Sequence, residues 1–257
     1  MSSKKITRVE GGGDEENRGG KNVFVASDES KARAKKLRIF AVLSWLVAFA
    51  IQAYLIFGVL LKPPVNMTVL IIGIVVNLIP AILGSYLWKK ANRLDPASEK
   101  EPTRFFIQNQ LGAILGVLAF LPLVVLILTN KDLTGKQKGL AGGIAIVALL
   151  VAGITGADFN PPSIEEYTEQ TQLVERLNEG RNFVYWTKSG TRYHLYSDCS
   201  SINTERTDEI FEGTVAQARE LKNITQLCSF CQNRAMKERN ITEEELNAPA
   251  EATESME

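Results

Sequence analysis

The sequence predicts an all-α membrane domain, a four-helix transmembrane bundle, followed by a small α+β module that binds zinc. Two observations predict this fold class. Apolar residues are concentrated in four long runs between residues 39 and 158, whereas both ends of the chain are polar and charged. All three cysteines and the only histidine fall between residues 194 and 231. The length of 257 residues and the net charge of zero are therefore totals over two different domains, one in lipid and one in water.

Residues 1–38 are predicted to be a disordered, basic N-terminal tail. They include the glycine run Gly11–Gly13, many charges and few large apolar side chains, so they offer little surface to bury. The tail ends in a basic run at residues 31–38, directly before the first apolar run. Such a run either determines membrane topology or recognises anionic lipid.

Four apolar runs have the length of transmembrane helices. The first three contain no charged side chain, and the fourth ends at Asp158. Each is close to the ~20 residues that cross ~30 Å of hydrocarbon as a helix, and none has the polar stripe of a buried core helix. The first is too long for the apolar region of a signal peptide, so we expect it to remain as an anchor. The predicted spans are residues 39–61, 67–88, 105–129 and 139–158.

The distribution of basic residues predicts the topology. Lysine and arginine are frequent before the first span and between the second and third, whereas the first connecting loop has only Lys62. The third loop carries three lysines, which weakens the contrast without reversing it. Because basic loops stay in the cytoplasm, we expect a multi-pass protein of the plasma membrane with both termini cytoplasmic. Thiols stay reduced there, which favours a metal site over a disulfide.

The predicted spans contain no ionisable side chain in their interior. This argues against a proton-coupled transporter but leaves open a pore formed by oligomers. Two G-x-x-x-G pairs, Gly112 with Gly116 and Gly139 with Gly143, allow helices to approach closely. They predict either packing within the bundle or a homo-oligomer.

The polar region after the spans is predicted to begin with a linker helix at residues 160–180. Ser163 and Glu166 have the spacing of a capping box, and Gly180 is a typical helix end. We expect this helix to pack on the module that follows. At the other end of the chain, residues 241–257 are rich in glutamate and predict an acidic, disordered tail.

The module itself is predicted to span residues 181–240. Residues 182–188 and 191–196 are rich in aromatic and β-branched side chains and flank Ser189-Gly190, which predicts a hairpin. Thr214 and Gln217 form a second capping-box pattern, which predicts a helix up to about residue 222. A last helix is expected from Cys231 to about Arg239.

The module carries a candidate metal site made of His194, Cys199, Cys228 and Cys231. Thiolates and imidazole are the ligands that tetrahedral zinc selects, and C-x2-C places two sulfurs within reach of one ion. Four ligands with no spare position fit a structural zinc ion better than a catalytic one. The sequence alone leaves open an iron–sulfur cluster, or no metal, with Cys228 and Cys231 as a redox pair or buried thiols.

The same residues resemble a known type of module. Tyr193-His194, the nearby Cys199, a short helix containing Ala218 and the final Cys228-x-x-Cys231 resemble the small metal-binding modules of the Ada type, which are similar to modules at the tails of some bacterial nucleases. The resemblance covers about 50 residues of this chain. It implies a β-hairpin and helices around zinc, and it transfers no activity. The chain departs from the pattern in its longer His-to-Cys loop and in Leu227, where proline is frequent.

Enzymatic function is not expected. His194 is followed by Leu195 and Tyr196, so the glutamate that zinc deaminases need two residues after the histidine is missing. The sequence also has no H-E-x-x-H, G-x-S-x-G or P-loop pattern. We therefore expect a protein that presents the zinc module for protein interaction or sensing. The alternatives are a pore or transport component with a regulatory zinc domain, and a membrane-tethered nucleic-acid binder.

Overall fold

A computed structural model describes residues 4–9, 23–222 and 224–247 of the chain. The chain forms two compact units. One contains residues 30–163, and the other contains the residues from 164 onward together with the N-terminal residues up to 29. We describe the first as the membrane unit and the second as the C-terminal module.

The membrane unit consists of four long helices. Each is long and apolar enough to cross a membrane, with a mean hydropathy between 2.1 and 2.9 in its most apolar window. The prediction of four such helices is confirmed. The first continues past its α-helical part as a π-helical segment, Tyr54–Leu60. The helices are α1 (Asp28–Ala53), α2 (Met67–Leu94), α3 (Pro102–Thr129) and α4 (Gly135–Gly156).

The helices extend past the predicted spans at one end of the bundle. α1 begins at Asp28 and α2 continues to Leu94, because helical hydrogen bonding does not stop where the apolar run does. Arg38 of α1 and Asp95, which caps α2, form an ion pair of 2.8 Å. The basic N-terminal part of α1 therefore lies beside the C-terminal end of α2.

The interior of the bundle combines large side chains of α2 and α3 with small residues of α4. Leu70, Ile74, Phe120 and Leu123 are buried, and the buried face of α4 is made of alanines and glycines. Small residues allow helix backbones to approach closely. The bundle is therefore packed most closely where α3 meets α4.

The two G-x-x-x-G pairs have different environments. A Cβ atom at Gly112 would lie 2.8 Å from the carbonyl oxygen of Gly156, and one at Gly116 would lie 2.9 Å from that of Ala152. The first pair thus packs α3 on α4, as the interpretation of packing within the bundle predicts. Cβ atoms at Gly139 and Gly143 would meet nothing within 4 Å among the described residues.

The C-terminal module is built around two small sheets and several helices. In the three-stranded sheet, β4 (Glu209–Gly213) lies between β1 (Lys5–Arg8), to which it is parallel, and β2 (Val184–Thr187), to which it is antiparallel. The strands β3 (Arg192–Tyr193) and β5 (Gln226–Leu227) form a two-stranded parallel sheet. The elements are β1 (Lys5–Arg8), α5 (Ile164–Leu177), β2 (Val184–Thr187), β3 (Arg192–Tyr193), β4 (Glu209–Gly213), α6 (Val215–Lys222), β5 (Gln226–Leu227), α7 (Ser229–Arg239) and α8 (Glu243–Asn247).

The core of the module extends beyond the predicted residues 181–240. Val174 and Leu177 of α5 are fully buried against Trp186, Tyr193 and the cysteines. The expectation that the linker helix packs on the module is confirmed. Its end also has the predicted form, since the chain turns through Gly180 at φ 77°, a conformation that favours glycine.

Both predicted disordered tails differ from the structure in their described parts. Within residues 1–38, residues 5–8 form the edge strand β1, and α1 begins at Asp28. Within residues 241–257, α8 forms and its Leu246 is buried in the module core. Local composition does not predict these elements, because each is stabilised by contacts with residues that are distant in the sequence. Residues 1–3, 10–22 and 248–257 of the predicted tails lie outside the described residues.

Candidate metal centre

The first ligand, His194, lies at the point where the predicted hairpin closes. It follows β3 directly, and its backbone N–H and C=O pair with the C=O and N–H of Tyr185, both at 2.7 Å. The antiparallel pairing of residues 185 and 194 confirms that the two predicted strands are adjacent. Beyond this bridge, β3 pairs with β5, which the sequence analysis did not predict.

Cys199 lies in the loop that follows the hairpin. The loop folds back on itself, since the N–H groups of Ile202 and Asn203 donate to the carbonyl oxygen of Cys199 at 3.0 and 2.8 Å. Its side chain is buried within the module core together with Ile202. The chain directly after Cys199 is thus a compact turn rather than a segment extended into solvent.

Cys228 and Cys231 lie at the junction of β5 and α7. Cys228 caps the N-terminus of α7, and its N–H donates to the carbonyl oxygen of Tyr193 at 2.9 Å. Cys231 follows in the first turn of the helix. The parallel pairing of β3 with β5 therefore brings the C-x2-C turn next to His194, which comes directly after Tyr193.

The structure brings all four predicted site residues together. One ligand atom from each lies within 4.8 Å of every other, and the Nδ1 of His194 is 3.6 Å from the Sγ of Cys231. All four side chains are buried, with between 1 and 7% of their surface exposed. The three cysteines are free thiols. This arrangement can bind a metal ion.

The environment of the site favours a neutral imidazole. Burial and the nearby charge of Arg192 lower the pKa of His194 from 6.5 to about 4. A neutral imidazole has a lone pair that a metal ion can accept. His194 is therefore prepared to bind a metal at neutral pH without first losing a proton.

The two cysteines of the C-x2-C turn differ in acidity. Burial raises the pKa of Cys228, but hydrogen bonds from the backbone N–H groups of Cys231 and Phe230 and from the side chains of Ser201 and Cys199 together outweigh it, so the pKa of Cys228 is lowered. Burial raises the pKa of Cys231 to about 12. The N-terminal turn of α7 thus stabilises the thiolate of Cys228 first.

A surface beside the site was missed by the sequence analysis. Phe230, between the two cysteines of the turn, is 68% exposed, which is unusual for so large an apolar side chain. It lines an open groove of about 480 Å³ on α7 together with Asn233, Arg234, Lys237 and Glu238. No periodicity indicates this exposure, because α7 has apolar and polar residues on all its faces.

Charged residues next to Phe230 form an ordered network. Arg234 is 2.9 Å from Asp198 and 2.8 Å from Glu238, and its guanidinium lies 4.0 Å from the centre of the Tyr196 ring. The hydroxyl of Tyr196 donates to Glu238 at 2.6 Å. We call Phe230 and these four residues the knuckle surface.

The chain matches no protein-family model, and searches of curated proteins and of solved structures found no match.

Proposed function

We propose that the chain is an integral membrane protein whose C-terminal module binds one structural zinc ion and presents a surface for protein interaction or sensing, without enzymatic activity. One observation carries the proposal: four buried ligand atoms, three from sulfur and one from nitrogen, lie within 4.8 Å of one another. The predicted residues thus meet in space although they come from a strand, a loop and a helix. In this proposal the module lies in the cytoplasm.

The spacing of the ligand atoms fits zinc. Bonds of about 2.3 Å to sulfur and about 2.0 Å to nitrogen place tetrahedral ligand atoms roughly 3.5–3.8 Å apart. The 3.6 Å between His194 and Cys231 falls in that range, and the 4.8 Å limit leaves only a small contraction on binding. A Cys3His set is typical of structural zinc, which supplies folding energy to small domains.

A structural role fits better than a catalytic one. Catalytic zinc keeps an open position for water, and here four protein ligands fill a tetrahedron. The three cysteines belong to the module core and His194 is buried beside them, so a substrate has no direct approach to the ion. What zinc supplies is the shape of the surrounding surface.

The knuckle surface is the part of the zinc-stabilised module that would be exposed to a partner. Phe230 lies between two ligands, so binding of the ion fixes its position. An exposed aromatic side chain beside an ordered arginine is typical of residues that dominate protein interfaces. We therefore assign partner binding to this surface.

The charge distribution supports a protein partner over nucleic acid. Of the three basic side chains on α7, Arg234 is paired with two carboxylates, Arg239 is 3.6 Å from Glu179, and Lys237 has no ion pair among the described residues. Paired guanidinium groups contribute less to phosphate binding than free ones. The spans, for their part, have no Asp, Glu, Lys, Arg or His in the interior of their apolar runs to support ion transport.

A pulldown with the detergent-solubilised full chain tests the proposal. We compare the wild type with Phe230→Ala, Cys228→Ser and Leu221→Ala, the last a matched control because Leu221 is an exposed apolar residue of α6. Partner recovery should fall at least about tenfold for the first two variants and persist in the control, by analogy with interface hot spots. Zinc content should fall only in Cys228→Ser. Full recovery of the partner with Phe230→Ala would contradict the assignment of the surface.

A further inference from the structure

A groove of about 630 Å³ lies on the membrane unit where α1 meets the end of α2. It is unlike the rest of the bundle surface because its lining changes from charged to apolar along its length. The lining consists of Lys31, Lys35, Arg38, Ile39, Val42, Leu43, Trp88 and Asp95.

The charged end of the groove is formed by one face of α1. Lys31, Lys35 and Arg38 are spaced by four and three residues, so they lie on the same side of the helix. Both lysines are exposed, and within the described part of the chain neither forms an ion pair. Two ammonium groups are thus free to bind an anion.

Arg38 has a different role in the groove. Its guanidinium donates to the carboxylate of Asp95 at 2.8 Å and to the backbone carbonyl of the same residue at 2.9 Å. It also lies 5.8 Å from the centre of the Trp88 ring. These contacts neutralise the charge of Asp95 and hold α1 against α2. The groove therefore keeps the net positive charge of the two lysines.

The other end of the groove is apolar and faces outward. Ile39, Val42 and Leu43 are each about half exposed, on the turn of α1 that follows the basic face. Trp88 forms the wall and is held in place, since its indole N–H donates to the carbonyl oxygen of Gln108 at 2.7 Å and its ring lies 5.5 Å from that of Trp45. Tryptophan in such a position is typical of the membrane–water interface.

We propose that this groove binds one anionic phospholipid. Lys31 and Lys35 bind the phosphate of the headgroup, and the start of an acyl chain lies along Ile39, Val42 and Leu43 against Trp88. From Lys31 to Leu43 the helix rises about 18 Å, which is enough to cover a headgroup and the first part of a chain. A soluble phosphate would use only the charged end. The proposal does not depend on zinc or on the knuckle surface.

Native mass spectrometry of the detergent-solubilised full chain tests this inference. The protein is titrated with phosphatidylglycerol, with phosphatidylcholine and with glycerol phosphate, a soluble phosphate without acyl chains. Three forms are compared: the wild type, the groove variant Lys31→Gln/Lys35→Gln, and the control Lys36→Gln/Lys90→Gln. The control removes two exposed lysines from the same two helices outside the groove.

The expected result is one tightly bound phosphatidylglycerol per chain in the wild type and in the control. Binding by the groove variant should be about thirty-fold weaker, from the loss of two charges at an anionic headgroup. An equal loss in both double variants would show a general charge effect and overturn the proposal. Equal affinity for phosphatidylcholine would also overturn it, and so would equal affinity for glycerol phosphate. Unchanged thermal stability of the variants shows that they are folded.

Discussion

The Nδ1 atom of His194 lies 3.6 Å from the Sγ atom of Cys231, although 37 positions separate them in the sequence. The contact results from two backbone pairings. His194 is held by Tyr185 across the hairpin, and the C-x2-C turn is held beside it because Cys228 donates to Tyr193. The backbone therefore brings the ligands together before any ion is considered, and a metal ion would add stability to a contact that the sheet already favours.

The first prediction concerns the metal content of the chain. Purified wild-type protein should contain about one zinc ion per chain, and Cys228→Ser should contain much less, because a serine hydroxyl is a poor ligand for zinc. Loss of the ion should also make the module sensitive to protease while the membrane unit stays intact, since structural zinc supplies folding energy. Elemental analysis and limited proteolysis measure the two effects.

Ser229→Ala is the control for this experiment. Ser229 is next to Cys228 but is exposed, so its substitution should leave both zinc content and protease resistance unchanged. A protease-resistant module in Cys228→Ser would show that the apolar core alone holds the module together.

The second prediction concerns the protons released when zinc binds. Because the pKa of His194 is lowered to about 4, the imidazole is already neutral above about pH 5 and releases no proton. Because the pKa of Cys231 is raised to about 12, its thiol is protonated at neutral pH and must lose a proton to bind the ion. The apparent affinity for zinc should therefore rise with pH, with released protons coming from thiols.

Calorimetry of zinc binding in buffers of different ionisation enthalpy counts these protons. The number released should show no step near pH 6.5, the ordinary pKa of histidine. A step at that pH would show that His194 is solvated when the ion is absent, so that the imidazole becomes buried only on zinc binding.

The sequence predicted those features of the fold that depend on local pattern. Long apolar runs are sufficient to indicate membrane helices, and residue type alone indicated the four ligands. Features that depend on pairing between segments far apart in the sequence were not predictable from local pattern. β1 is a short segment of a polar tail and gains its structure from β4, with Lys5 paired to Glu209 and Val9 hydrogen-bonded to Glu212.

The third prediction follows from that pairing. Val9→Pro removes the N–H that donates to the carbonyl oxygen of Glu212 at 2.9 Å, whereas Val9→Ile keeps it. Val9→Pro should lower the free energy of unfolding of the module by about 1–3 kcal/mol, the cost of leaving a hydrogen-bonding group unpaired. Chemical denaturation followed by tryptophan fluorescence measures this, and an equal effect of both substitutions would indicate that β1 contributes through side chains only.

The fourth prediction concerns the contact between α3 and α4. A Cβ atom at Gly156 would lie 2.5 Å from the backbone of Gly112, which cannot move aside without shifting the helix. Gly156→Ala should therefore destabilise the bundle in detergent by about 1–3 kcal/mol. Gly143→Ala should be neutral or slightly stabilising, because its Cβ would have no described atom within 4 Å and alanine favours helix. Thermal unfolding of both variants compares them directly. Equal stability of the two variants would mean that α3 and α4 are not in close contact at Gly112 and Gly156.

The last prediction concerns two buried asparagines of α2 that differ in their partners. Neither Asn77 nor Asn92 has exposed surface. The side-chain N–H group of Asn92 donates to the carbonyl oxygen of Gln108 at 2.8 Å and to the side-chain oxygen of Asn109 at 3.2 Å, while the side-chain oxygen of Asn92 has no partner among the described residues. Both side-chain polar atoms of Asn77, in contrast, have no hydrogen-bond partner among the described residues.

A buried polar group without a partner costs about 1–3 kcal/mol, whereas a partnered one is stabilising. Asn77→Leu should therefore raise the stability of the detergent-solubilised bundle. Asn92→Leu should lower it, because the side-chain oxygen of Asn109 loses its donor and the carbonyl oxygen of Gln108 loses one of its two side-chain donors. Thermal unfolding of the two variants tests the sign of each effect. Destabilisation by Asn77→Leu would show that the amide has a partner in the folded protein, which would make the middle of α2 a polar site within the bundle.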